Sequence, residues 1–194
     1  LSPRLPRRQL SSLALFASLS SGANAAPVAP PPELENKAFI VMDFDSGRIL
    51  AESNADVPLP PASLTKMMTS FLAEQSMRSG KLKKDDLVSV SENAWCRGSS
   101  TESCMYLPLN GQATVMDILR GIVIQSGNDA SKALAEHMAG SEENFAKLMN
   151  AEAQRLGMTH TNFVNATGLP DPAHKSSARD LAILAAHRVK VRRV

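Results

Sequence analysis

The proline pair Pro60-Pro61 is the firmest local constraint in this chain. A residue that precedes proline avoids the helical region, so the chain must reach Pro60 extended. Good helix formers follow at once: Ala62-Ser63-Leu64-Thr65-Lys66-Met67-Met68-Thr69-Ser70-Phe71-Leu72. Leu64, Met67, Met68, Phe71 and Leu72 recur at helical spacings, which predicts a helix from Ser63 to Met77 with one apolar face. Ser63 and Lys66 then share a side of that helix, about 5–6 Å apart at their Cβ atoms.

This spacing has chemical meaning. A serine hydroxyl is a weak nucleophile until a neighbouring base takes its proton. A lysine amine can be that base only when burial or nearby positive charge lowers its pKa from about 10.4. A helix start adds free backbone N–H groups where negative charge can develop. Ser63 and Lys66 are therefore candidate nucleophile and base. The competing reading makes Ser63 a helix cap and Lys66 a solvated surface residue, since Ser-x-x-Lys also arises by chance.

The chain has 194 residues, 43% hydrophobic and 21% charged, which suits one domain with a real core. Its formal charge is only +2, and seven of the 21 Lys and Arg residues sit at the two ends: Arg4, Arg7 and Arg8, and Arg188, Lys190, Arg192 and Arg193. One Trp, one Tyr and six Phe offer few stacking platforms, so no nucleic-acid partner is expected. Residues 1–25 read as a secretory signal: Arg4, Arg7 and Arg8, then a mostly apolar stretch from Leu10 to Leu19, then Ala23-Asn24-Ala25 before the cut. A disordered basic arm is the rival reading. Export points to the periplasm of a Gram-negative bacterium. Cys96 and Cys104 fit that oxidising compartment as a loop-stapling disulfide, and two free buried thiols fit the spacing as well. The cysteines lack C-x-x-C spacing and the histidines are scattered, so no metal is expected.

In chain order, 26–36 is an Ala/Pro-rich linker and 37–187 the folded domain. Ala38 to Phe44 and Arg48 to Glu52 read as a hairpin across Asp45-Ser46-Gly47. Leu87 to Ser91 is a short strand, and 94–110 a loop holding Trp95 and both cysteines. Thr114 caps a helix from Val115 to Ile124, expected to be the buried central one through Val115, Ile118, Leu119, Ile122 and Val123. Ser126-Gly127-Asn128 is a tight turn, and Asp129 opens a helix to Ala139. Ser141 opens another, ended by Gly157, and Ser177 to His187 is the last, with Asp180 as a cap in its first turn. Residues 188–194 form a basic tail that reads as an abrupt end. The fold class is α+β: a helical subdomain with an incomplete antiparallel sheet.

Ser63-x-x-Lys66 together with Ser126-Gly127-Asn128 resembles the penicillin-binding proteins and serine β-lactamases. The longer strings Pro61 to Thr69, Leu119-Arg120-Gly121 and Gln125 to Ala130 resemble the low-molecular-mass D-alanyl-D-alanine carboxypeptidases, peptidase family S11. So do Asn150, Leu156-Gly157-Met158, Gly168-Leu169 and Ser176 to Ala182. The resemblance implies a β-lactamase/transpeptidase-like fold. It implies catalytic roles for Ser63, Lys66 and Ser126, a substrate-binding role for Asn128, and no cofactor. It implies peptidoglycan stem peptides as substrates and β-lactams as covalent inhibitors. The alternatives are a β-lactamase-like hydrolase or a catalytically inactive periplasmic relative. Against the first, no clear Glu-x-x-x-Asn element follows: Glu136 is met by Gly140 and Glu152 by Leu156.

The chain departs from the family in one respect. No Lys or His is followed by Thr or Ser and then Gly, so the family's Lys-Thr-Gly strand is missing. The expectation is a chain truncated before that motif, with little carboxypeptidase activity alone. Membrane association would belong to a full-length, inner-membrane form and is not encoded after signal cleavage.

Overall fold

The computed structural model describes residues 35–98 and 101–192, with side chains as far as Arg188. The expected export signal, most of the linker, Ser99, Ser100 and the last two residues lie outside the described residues. The order is β1 (Phe39–Met42), β2 (Ile49–Ser53), α1 (Lys66–Arg78), β3 (Leu87–Ser89), β4 (Gln112–Thr114), α2 (Val115–Gln125), α3 (Asn128–Ala139), α4 (Glu142–Leu156) and α5 (Ala178–Arg192). The strands make two antiparallel pairs, β1 with β2 and β3 with β4. In the first, Phe39 faces Ser53 and Val41 faces Ala51, with an irregularity before Met42.

Several ends form where local chemistry places them. Thr114 accepts the Asp117 N–H at 3.1 Å to start α2, and Ser141 accepts the Asn144 N–H at 3.1 Å to start α4. Gly140 and Gly157 close α3 and α4 in the left-handed conformation. Other elements differ from expectation. Residues Ala62–Thr65 form a 3-10 turn, and the α-helix begins only at Lys66. Leu64, expected on the apolar face, is 53% exposed, while Thr65 beside it is fully buried. The last helix passes His187 and continues to Arg192, because no glycine or proline interrupts it.

Two apolar clusters form the core. One joins Val88, Val90, Val115, Ile118, Ile122 and Leu134. The other joins Met68, Phe71, Phe145, Met149, Phe163 and Leu184. α1 and α3 serve both, α1 through Ala73 on one side and Phe71 on the other, α3 through Leu134 and Ala135. The most enclosed helix is therefore α3 rather than α2. Its Ala130, Ser131, Ala133, Leu134 and Ala135 are all buried, whereas Val123 and Ile124 of α2 are 56% and 75% exposed. Small side chains let neighbouring helices approach α3 closely, a cue that apolar periodicity does not carry. Trp95 is partly buried against the first cluster, a packing role.

The approach to Pro60 is fixed from a distance. Leu59 exchanges two backbone hydrogen bonds with Ser176, at 2.7 and 2.9 Å. Arg179 then grips the same segment, donating to Asp56 and Glu52 at 2.7 Å each. Asp180 is buried and accepts from the His160 N–H and the Thr161 hydroxyl, so it secures a loop rather than its own helix start. The hydroxyl of Ser177 caps that helix instead, accepting the Asp180 N–H.

Candidate active site

Ser63 lies in the 3-10 turn and Lys66 opens α1, so both occupy the N-terminal end of the first long helix. The Lys66 amine is 3.3 Å from Ser63 Oγ. Ser63 is exposed, and Lys66 is only 5% exposed. Burial pulls the Lys66 amine down from the ordinary lysine range to about 8, and the Glu102 carboxylate partly offsets that.

Two oxygens hold the amine. It donates to Asn128 Oδ1 at 2.8 Å and to the Thr167 carbonyl at 2.7 Å. A neutral amine has two N–H bonds and one lone pair. With both N–H bonds directed at these oxygens, the lone pair is left for the Ser63 hydroxyl. That is the arrangement a general base requires.

Each holder is itself held. Asn128 is the first residue of α3, and its N–H donates to the Ser103 carbonyl at 2.8 Å. The Thr167 carbonyl sits in a turn organised by Asn165, whose Oδ1 accepts from the N–H groups of Thr167 and Gly168 at 3.2 and 2.7 Å. Ala166 is tied on both sides, donating to Glu142 at 2.9 Å and accepting from Thr69 at 2.7 Å. Gly168 adopts φ +87° against Ala62, and a Cβ there would overlap the Ala62 carbonyl.

The residues singled out in the sequence therefore meet. Ser63, Lys66 and Ser126 line one small pocket with Met67, Ile122 and Arg188, and Asn128 touches Lys66 from behind. Ser126, expected to be catalytic, makes no hydrogen bond to Lys66. Its Oγ is buried with no hydrogen-bond partner among the described residues. Ala62 and Ser126 both adopt positive φ, at 47° and 54°, without being glycine. Such strain, of order 1–3 kcal/mol per residue, gathers at functional sites. Cys96 and Cys104 are joined in a disulfide with Cα atoms 6.4 Å apart.

Three contributors carried no recognisable sequence signal: the Thr167 carbonyl, Glu102 and His174. His174 is buried, takes the Val164 N–H on Nδ1 at 3.0 Å, and lies 2.7 Å from Thr65 Oγ1. An accepting Nδ1 puts the ring proton on Nε2, where it donates to Thr65 beside Lys66. Burial lowers the His174 pKa, opposed by Asp171. The folded state thus prefers the neutral ring. Its stabilisation is fully present above the unfolded histidine value of about 6.5 and is lost as pH falls below it toward the lower folded value. Melting temperature should drop as pH falls below about 6.5, and His174→Gln should flatten that slope while lowering stability throughout. An unchanged slope in the variant would rule out His174 as its source.

Asp129 makes a second prediction. It is fully buried and accepts from the N–H groups of Met105 and Leu107 at 2.8 and 3.0 Å. Asp129→Ala should cost about 2–4 kcal/mol by stranding two buried donors, read by urea denaturation. A loss under 1 kcal/mol would mean that solvent replaces the carboxylate.

Residues 24–193 match the family model described as D-alanyl-D-alanine carboxypeptidase. The chain is 44% identical over 160 residues to the D-alanyl-D-alanine carboxypeptidase DacA of Haemophilus influenzae, covering 82% of this chain and 41% of that protein. It is 45% identical over 175 residues to DacC of Escherichia coli, covering 89% and 43%. Among solved structures, penicillin binding protein 5 from Haemophilus influenzae superposes with a TM-score of 0.81 at 44% identity, over 84% of this chain and 47% of that one. The chain thus spans less than half the length of these relatives.

Proposed function

Because the chain belongs to the peptidase S11 family of D-alanyl-D-alanine carboxypeptidases, we propose that it removes the terminal D-alanine from peptidoglycan stem peptides through an ester on Ser63. The Ser63 oxygen attacks the carbonyl of the penultimate D-alanine while the Lys66 amine takes its proton. The Ser63 N–H faces the developing oxyanion, and such a donor is worth about 3–4 kcal/mol in comparable sites. The Ser126 hydroxyl, buried and unpartnered among the described residues, passes the proton to the departing D-alanine amine. Water then cleaves the ester with Lys66 again as base. β-Lactams, whose strained amide resembles the acyl-D-alanyl-D-alanine end, acylate the same oxygen.

The observation that carries this reading is the Lys66 amine, buried, held by two oxygen acceptors and 3.3 Å from Ser63 Oγ. The Cys96–Cys104 disulfide supports the companion proposal that the protein works in the periplasm, since such bonds persist in oxidising compartments. Among the described residues, no helix is long and apolar enough to cross a membrane.

The test is D-alanine release from a diacyl-lysyl-D-alanyl-D-alanine peptide, run beside covalent labelling by fluorescent penicillin. Slow release and time-dependent labelling, both abolished in Ser63→Ala, are expected. Labelling that persists in that variant would overturn the reading.

A further inference from the structure

We propose that Glu102 is a positioning residue for this chemistry: its carboxylate fixes the Asn128 carboxamide with the oxygen turned toward Lys66. The inference rests on the functional reading above.

A carboxamide has two similar ends, and its orientation follows from its neighbours. Asn128 Nδ2 donates to Glu102 Oε2 at 3.1 Å, and Asn128 Oδ1 accepts from Lys66 at 2.8 Å. An ionised carboxylate can only accept. Turning the amide over would set its oxygen against the carboxylate and its NH2 group against the amine. Glu102 therefore selects one orientation, the one in which Lys66 spends an N–H on Asn128 and keeps its lone pair for Ser63.

The placement of Glu102 is built into the fold. It is half-buried, two residues before Cys104, which is bonded to Cys96. The Ser103 carbonyl next to it accepts the Asn128 N–H at 2.8 Å. Beyond Cys104, Met105 and Leu107 donate to the buried Asp129 carboxylate. Gly127 leaves room for this strand of chain, since a Cβ there would come within 3.2 Å of the Met105 nitrogen. The segment is thus pinned to the start of α3 on both sides of the cysteine. The charge of Glu102 also holds the Lys66 amine in its protonated form to slightly higher pH.

Two variants separate orientation from charge. Glu102→Gln removes the charge but can still turn its own amide oxygen to Asn128 Nδ2, the orientation consistent with Lys66 donating to Asn128 Oδ1. Glu102→Ala removes both charge and acceptor. In the full chain, the limiting rate of penicillin acylation should fall about tenfold to a hundredfold in the alanine variant and stay within about threefold in the glutamine variant. In both, the rise of the rate with pH should move to lower pH, a shift that a purely structural residue would not cause. Side-chain amide exchange of Asn128, followed by NMR, needs no reaction: it should be slow in wild type and in Glu102→Gln, and about tenfold faster or more in Glu102→Ala. A wild-type limiting rate and unchanged exchange in Glu102→Ala would overturn the inference. A wild-type chain that takes no label would overturn the functional reading instead, and the exchange rates would still decide the role of Glu102.

Discussion

Lys66→Ala and Lys66→Arg should both slow penicillin acylation by about 10²–10⁴-fold. The pair is informative because arginine keeps the positive charge and the donors but cannot lose its proton at any working pH. If Lys66 acts as a base, charge alone cannot rescue it. If it only stabilises negative charge, arginine should recover much of the rate. The pH profile adds a second check. The amine must be unprotonated to accept the Ser63 proton, and its pKa is lowered to about 8 by burial. The acylation rate should therefore climb with pH up to about 8 and level off above it. A profile flat from pH 6 to 9, or an arginine variant near wild-type rate, would remove Lys66 from the role of base.

Gly168→Ala should destabilise the protein by at least about 3 kcal/mol, a melting-temperature loss of roughly 6–12 °C or more. Two costs add. Gly168 holds φ +87°, which disfavours any side chain, and its Cβ would run into the Ala62 backbone carbonyl and come within 2.9 Å of Thr65 Oγ1. Neither neighbour can swing aside: Ala62 presents backbone, and Thr65 is fully buried. Gly140→Ala is the control. Gly140 also has positive φ, 78°, but a Cβ there meets nothing within 4 Å. It should cost only about 1 kcal/mol of backbone strain. The 168 variant should also acylate poorly, because Ala62 precedes Ser63 and Thr167 holds Lys66. Equal losses at the two glycines, measured by thermal denaturation, would show that strain rather than overlap dominates and that the turn can yield.

Local signals made much of the helical frame legible. The caps at Thr114 and Ser141 and the stop at Gly157 act within one turn, so the residues that cause them stand next to one another. The hairpin of β1 and β2 was legible for the same reason, through the β-branched and aromatic run Phe39-Ile40-Val41 and the Asp-Ser-Gly turn. What escaped depends on distant partners. The 3-10 turn at Ala62–Thr65 is shaped by Gly168 and by the Leu59–Ser176 pairing. β4, Gln112–Thr114, has no strong strand preference and exists because Leu87–Ser89 pairs with it. Of the candidate site, Ser63, Lys66, Ser126 and Asn128 could be named from spacing and resemblance; the fold brings the first three to one pocket and hydrogen-bonds Asn128 to Lys66. The Thr167 carbonyl could not, because a backbone oxygen has no residue signature. Glu102 could not either, since one carboxylate in a polar loop looks like any other until Asn128 is seen to face it.

The most direct measurement is peptide mapping by mass spectrometry after the chain is incubated with benzylpenicillin. The expected result is one penicilloyl adduct, on the Ser63 hydroxyl, that disappears in Ser63→Ala. An adduct on Ser126 or on any other side chain would contradict the assignment of Ser63 and Lys66 as nucleophile and base.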